Sequence, residues 1–308
     1  MKKLFSLILI LALFALTLTG CYKKDYALMI GVTTSQSGAE VSHTVAAIVI
    51  DKDYRIVSCR IDTIAVKAEL TDGKINEEKT YESKAELGDR YGMLTNSPYF
   101  GSSLAEWDDQ VKAFENYVVG KTRAEVKKIT DSDGKVTDET LTAGCTISVS
   151  DFMKAIDNAF ENGHMVGLET KGNITLGVSA SADVTNKNGG ASYTADFAAV
   201  AIVDGTVLAA VIDSKEVTCT IESDGSFGKL TDKGTKLEQG DEYGMLTNSP
   251  YYGSSLAEWY EQAQAYADSA VGKSVSEIPA LKTEGVAGCT IYVGGYKKAL
   301  EKAASYAR

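Results

Sequence analysis

AAVAIVDGTVLAAVI, Ala198–Ile212, is the stretch from which the fold class of this chain can be read. Two apolar runs rich in β-branched residues, Ala198–Val203 and Thr206–Ile212, flank Asp204-Gly205. Aspartate and glycine tolerate the positive φ of a tight antiparallel turn, so the stretch predicts a β-hairpin. A similar pair of runs, Val45–Ile50 and Arg55–Ile61, surrounds a weaker turn at Lys52–Tyr54. One further strand is expected in each half, Thr63–Leu70 and Glu216–Ile221, each ending at Asp-Gly (Asp72-Gly73 and Asp224-Gly225).

The two hairpins belong to two copies of one module. YGMLTNSPYFGSSLAEW, Tyr91–Trp107, returns 152 positions later as YGMLTNSPYYGSSLAEW, Tyr243–Trp259, with Phe100 replaced by Tyr252. The flanking segments align but have diverged widely, which is the mark of a duplication. Ser103-x-x-Glu106 and Ser255-x-x-Glu258 have the form of capping boxes and predict a helix start in each copy. Apolar residues then recur at helical spacing: Leu104, Trp107, Val111, Phe114 and Val118 in one copy, Leu256, Trp259, Ala263, Tyr266 and Ala270 in the other. Gly120 and Gly272 are expected to end these helices, with a short second helix starting at Thr122 or Ser274.

Each module closes with a short strand, Thr-x-Ser or Thr-x-Tyr, and a last helix capped by Ser150 or Gly294. The inward face of that helix carries Phe152, Ala155, Ile156 and Ala159, or Tyr296, Ala299, Leu300 and Ala303. Strands first and helices after argue an α+β fold: two tandem repeats, each a mostly antiparallel sheet with two to three packed helices. The expected boundaries are repeat 1 at 27–160, a linker at 161–173 and repeat 2 at 174–308.

The N-terminus predicts an address. Lys2 and Lys3 precede an apolar run from Leu4 to Leu16, followed by Leu18-Thr19-Gly20-Cys21. This is the pattern of a secretory signal, 1–20, and its end resembles the bacterial lipobox, in which the cysteine is acylated. Cys21 is then the lipidation site, 21–26 a tether, and the protein is held at the extracytoplasmic face of a bacterial cell membrane. Loss of Lys2 and Lys3 leaves 29 cations against 42 acids, a net charge of −13. Such a surface repels nucleic acid, so no nucleic-acid partner is expected, and the acyl anchor has to supply the membrane contact.

Four cysteines remain, Cys59, Cys145, Cys219 and Cys289, two per half; one disulfide per repeat and free buried thiols both fit. With no CxxC pair and only His43 and His164 as histidines, no metal site is expected. Gly120-Lys121-Thr122 and Gly272-Lys273-Ser274 lack the upstream glycine of a phosphate loop, and no nucleophile elbow or repeated histidine supports acid-base or nucleophilic catalysis.

Just before each terminal helix stand Ala143-Gly144-Cys145-Thr146 and Ala287-Gly288-Cys289-Thr290. An apolar hairpin closed by Asp-Gly, followed by such a small-Gly-small-Thr tetrad and an amphipathic helix, resembles the bacterial FMN-binding domain family, in its duplicated lipoprotein form. In that family an Asp-x-x-Ser/Thr-Gly-Ala-Thr/Ser motif receives FMN through a phosphoester to the last hydroxyl, installed by a flavin transferase. The resemblance implies FMN on Thr146 and Thr290, with Gly144, Cys145, Gly288 and Cys289 beside it, and partners that include the transferase and redox proteins. The chain departs from the motif: Ala143 and Ala287 replace the first Ser/Thr, Cys145 and Cys289 replace the alanine, and Thr140 or Glu284 stands at the acid position.

The repeated block is the second candidate site. Tyr91, Asn96 and Ser97, with Tyr243, Asn248 and Ser249, combine aromatic faces with neutral hydrogen-bonding groups that suit a planar ligand. Asn-Ser-Pro is also ordinary turn chemistry, and Trp107 and Trp259 read best as core anchors. Two functions follow as expectations. One is electron transfer through flavin; the other is a flavin-free tandem binding or adhesion module of the cell envelope that uses the repeated loop.

Overall fold

The computed structural model of the protein describes residues 24–77, 79–95, 104–130, 136–248 and 255–308. In the first half, β1 (Tyr26–Ser37), β2 (Glu40–Asp51) and β3 (Ile56–Lys67) form an antiparallel meander. A short strand, β4 (Val166–Leu168), pairs antiparallel with the start of β1. In the second half the meander recurs as β5 (Thr175–Lys187), β6 (Gly190–Val203) and β7 (Thr206–Thr220), edged by β8 (Thr231–Asp232). The sheet orders are β3-β2-β1-β4 and β8-β7-β6-β5. The fold is α+β with antiparallel sheets. Asp204 and Gly205 take the left-handed φ of 49° and 76° that the hairpin turn needs.

The helices also recur. The first half has α1 (Lys84–Leu87), α2 (Trp107–Val118) and α3 (Ser150–Asn162). The second has α4 (Lys236–Gln239), α5 (Trp259–Asp268) and α6 (Gly294–Ser305). Short turns of helix at Arg123–Val126 and Val275–Ala280 start after Thr122 and Ser274, as expected.

The two sheets lie face to face, β3 and β2 against β5, and β1 against β6 and β7. Leu28, Ile30 and Val32 share one core with Tyr193, Ala195 and Phe197 of the opposite sheet. Ala27 and Met29, on the other face of β1, pack with residues of α2 and α3. The order of layers is helix, sheet, sheet, helix. Each fully buried aliphatic side chain contributes about 2 kcal/mol relative to exposure. Glycines set the closest approach between sheet and terminal helix: a Cβ on Gly31 would stand 2.1 Å from the Ala159 nitrogen, and one on Gly177 1.9 Å from the Ala303 oxygen.

Several expectations need correction. The sheets begin one strand earlier than anticipated, at β1 and β5. Thr63–Leu70 and Glu216–Ile221 are not separate strands, because β3 runs unbroken to Lys67 and β7 to Thr220. The polar stretches read as breaks are buried instead, with Asp62 1 % and Asp213 0 % exposed. Helices α2 and α5 start at the tryptophans, with Glu106 and Glu258 at the N-cap, so Ser255 is no cap and Ser103 lies outside the described residues. Leu104 and Leu256 precede the helices and are exposed, at 49 % and 59 %. Ser150 and Gly294 are the first helical residues, after Val149 and Val293 at the N-cap. No strand forms at 146–148 or 290–292. The segment 161–173 contains β4 and so belongs in part to the first sheet. The four described cysteines are free thiols.

Candidate functional site

Two buried aspartates start the construction of the site. Asp62 Oδ1 accepts the backbone N–H of Thr63 (2.7 Å) and of Ala85 in α1 (3.1 Å). Asp213 Oδ1 does the same for Ser214 (2.7 Å) and for Leu237 in α4 (3.1 Å). Burial pushes both carboxyls up to about 7, against hydrogen bonds from Ser83 and Thr235 that favour the anion. Capping boxes, Ser83 with Glu86 and Thr235 with Glu238, complete the helix starts. These short helices are thereby pinned to β3 and β7.

Their first residues are Lys84 and Lys236. The Lys84 ammonium lies 4.9 Å from the Tyr91 ring centre and 5.5 Å from that of Trp107; Lys236 lies 5.3 Å from Tyr243 and 5.1 Å from Trp259. Each lysine is thus held over two aromatic rings, a cation–π arrangement that fixes one positive charge. Neither lysine has a carboxylate within ion-pair distance among the described residues. Sequence reading missed both lysines, although they occupy matching positions seven residues before the block.

The lysines and rings wall two related clefts. The first, about 320 Å3, is also lined by Thr44, Thr63, Ile147 and Phe152. The second, about 560 Å3, has Asp196, Ser214, Ile291 and Tyr296 in the corresponding places. Burial raises the Asp196 carboxyl while Lys236 opposes the rise. A Cβ on Gly295 would stand 2.1 Å from Asp196 Oδ2, so glycine at the start of α6 is what admits the carboxylate there.

Thr146 and Thr290 are exposed and immediately precede the cleft-lining isoleucines, without themselves lining the clefts. Each is held by a glutamine of the preceding long helix. Gln110 Oε1 accepts the Thr146 backbone N–H (2.9 Å) and hydroxyl (3.0 Å); Gln262 Oε1 accepts both from Thr290 at 2.8 Å. Both glutamines are fully buried, and each Nε2 donates to the carbonyl of Ala105 or Ala257 at 2.8 Å. One amide therefore ties the repeated block to the tetrad. These glutamines also escaped the sequence reading; their signal was an identical residue three places past the block in otherwise unlike segments.

Part of the block is structural. Glu106 accepts the backbone N–H groups of Met93 and Leu94 at 2.8 and 3.0 Å, and Glu258 those of Met245 and Leu246 at the same distances. Trp107 and Trp259 are core residues, 3 % and 2 % exposed. Tyr91 and Tyr243 line the clefts. Asn248 is exposed and lines an adjoining depression with Tyr243 and Lys236. Asn96, Ser97 and Ser249 lie outside the described residues.

In the tetrads, Cys145 packs in the core and burial pushes its thiol up to about 11, while the half-buried Cys289 is raised for the same reason. The N–H groups of Gly144 and Cys145 both donate to the Leu141 carbonyl, and that of Cys289 to Val286. Gly144, which the resemblance places beside FMN, has its N–H donor spent within the turn and not free for a phosphate. Gly144 packs on Ala113 and Gly288, with φ 80°, on Ala265, so both glycines serve close helix contact. No family model, curated protein or solved structure matches this chain.

Proposed function

We propose that the protein is a membrane-anchored flavin carrier that passes electrons between a membrane donor and an extracellular acceptor. One observation supports this above the others. In both halves an exposed threonine immediately precedes an isoleucine that lines a cleft walled by lysine, tyrosine and tryptophan. FMN held there would supply one- and two-electron redox chemistry. The chain's own residues have separate tasks. Thr146 and Thr290 offer the oxygen for a phosphoester. Gln110 and Gln262 accept the hydroxyl proton in a hydrogen bond and so fix the rotamer, leaving the oxygen's lone pairs outward. Lys84 and Lys236 place a cation where phosphate or a reduced, anionic ring would be stabilised.

With Thr290→Ala, covalent flavin in protein co-expressed with its host's flavin transferase should fall by one equivalent while the circular dichroism spectrum is unchanged. Unaltered flavin content would reject Thr290 as the attachment site.

A second reading is a flavin-free binding module of the envelope. Leu94 and Leu246, at 49 % and 48 % exposure, present the same apolar shoulder on both copies of the block. Flavinless protein that retains immobilised cell-wall fragments, and loses them with Leu94→Asp and Leu246→Asp together, would favour it.

A further inference from the structure

The chain emerges at one end of the β-layers. Tyr26 pairs with Asp51, and Asp25 is held by Lys52 at 2.6 Å, so the tether leaves beside the β2–β3 turn. The loop after α2 closes on that turn: Gly120 N–H donates to the Ile56 carbonyl (2.7 Å) and Ile56 N–H to that of Lys121 (2.9 Å). In the second half the loop after α5 closes on the β6–β7 turn in the same way, Gly272 to Val207 (2.8 Å) and Val207 to Lys273 (2.9 Å). Lys24 and Val271 line one depression of about 560 Å3, which brings this second loop to the chain start. Both hairpin turns and both helix-end loops therefore share the end of the molecule where the tether leaves.

That end exposes three large apolar side chains, Tyr54 at 53 %, Val119 at 46 % and Val271 at 41 %. Lys24, Lys121 and Lys273 lie in the same turns and loops, with Asp53 and Asp204 among them, and Lys52 is paired with Asp25. Cys21 lies four residue steps before the pinned Asp25, a reach of at most about 14 Å when fully extended. We propose that this end seats on the lipid surface that holds the anchor. Tyr54, Val119 and Val271 enter the interface, and Lys24, Lys121 and Lys273 meet the headgroups. The proposal rests on Cys21 being acylated. It goes beyond anchoring, because it fixes which way the body faces. Thr44 lies seven residues along β2 from Asp51, so the clefts stand about 23 Å above the membrane at ~3.3 Å per residue, open to extracellular partners.

The test uses the processed, lipidated protein in phosphatidylcholine–phosphatidylglycerol vesicles. In a Cys289→Ala background, an environment-sensitive fluorophore is attached through Val119→Cys, Val271→Cys or, at the opposite end, Lys229→Cys. The probes at 119 and 271 should shift to the blue and be quenched roughly two-fold by a spin-labelled lipid, with 229 unaffected. The intact mass of the same sample reports acylation. A mass without acyl chains would overturn the anchor, and the seat with it. Acylated protein in which all three probes report water would overturn the seat alone.

Discussion

Asp62 and Asp213 are enclosed where most proteins would place an apolar residue, and both carboxyls titrate at about 7 in the fold. Between the usual carboxylate range near 4 and about 7, the folded chain keeps two protons that the unfolded chain has released. The unfolding free energy therefore falls as pH rises through that window, and levels off above it. Asn at both positions keeps the acceptor for the helix N–H groups and cannot ionise. Asp62→Asn with Asp213→Asn should flatten the dependence of the urea midpoint on pH between 4.5 and 7.5. An unchanged slope would mean that the titrating groups are elsewhere. At this scale the sequence was only partly legible. The exposed threonines and cleft tyrosines could be named from the motif and the block. Lys84, Lys236, Gln110 and Gln262 could not, because their roles come from which strand or loop they reach across space.

At the scale of elements, hairpin turns and terminal helices were readable because their signals are local: Asp-Gly for the turn, an apolar stripe for the helix. Helix starts and strand ends were misplaced where tertiary contacts override such signals. Ser255 yields the cap to Glu258, whose carboxylate also gathers the N–H groups of the Met245 turn. Strands β3 and β7 continue through Asp62 and Asp213 because α1 and α4 supply donors for these carboxylates. A purely steric device joins sheet to helix at Gly31 and Gly177. Gly31→Val would drive a branched side chain into the backbone of α3, and should cost about 3 kcal/mol or more in urea unfolding. A loss below about 1 kcal/mol would show that α3 can move away.

For the whole molecule, the duplication was plain from the block, but the way the halves join was not. Nothing local in either copy announces that two sheets will share one core. A buried ion cluster fastens the same joint. Glu115 accepts Ile61 N–H at 2.8 Å, Arg60 at 3.0 Å and, from the far end of the second half, Arg308 at 3.1 Å. Arg60 also donates to the Tyr306 carbonyl at 3.0 Å. Glu115→Ala leaves the buried Arg60 guanidinium without a counter-charge and should cost about 3–5 kcal/mol, with the two halves losing structure together. Two separate unfolding transitions in the unmodified protein would contradict the shared core.

The central claim is that the two threonines carry flavin at the mouths of the clefts. Intact mass with in-gel fluorescence, on protein co-expressed with its host's flavin transferase, tests it most directly. One or two FMN-sized additions with fluorescence that survives denaturation are expected, and their number counts the working clefts. An unmodified mass beside a transferase proven active on another substrate would contradict the claim and leave reversible ligand binding as the role of the clefts.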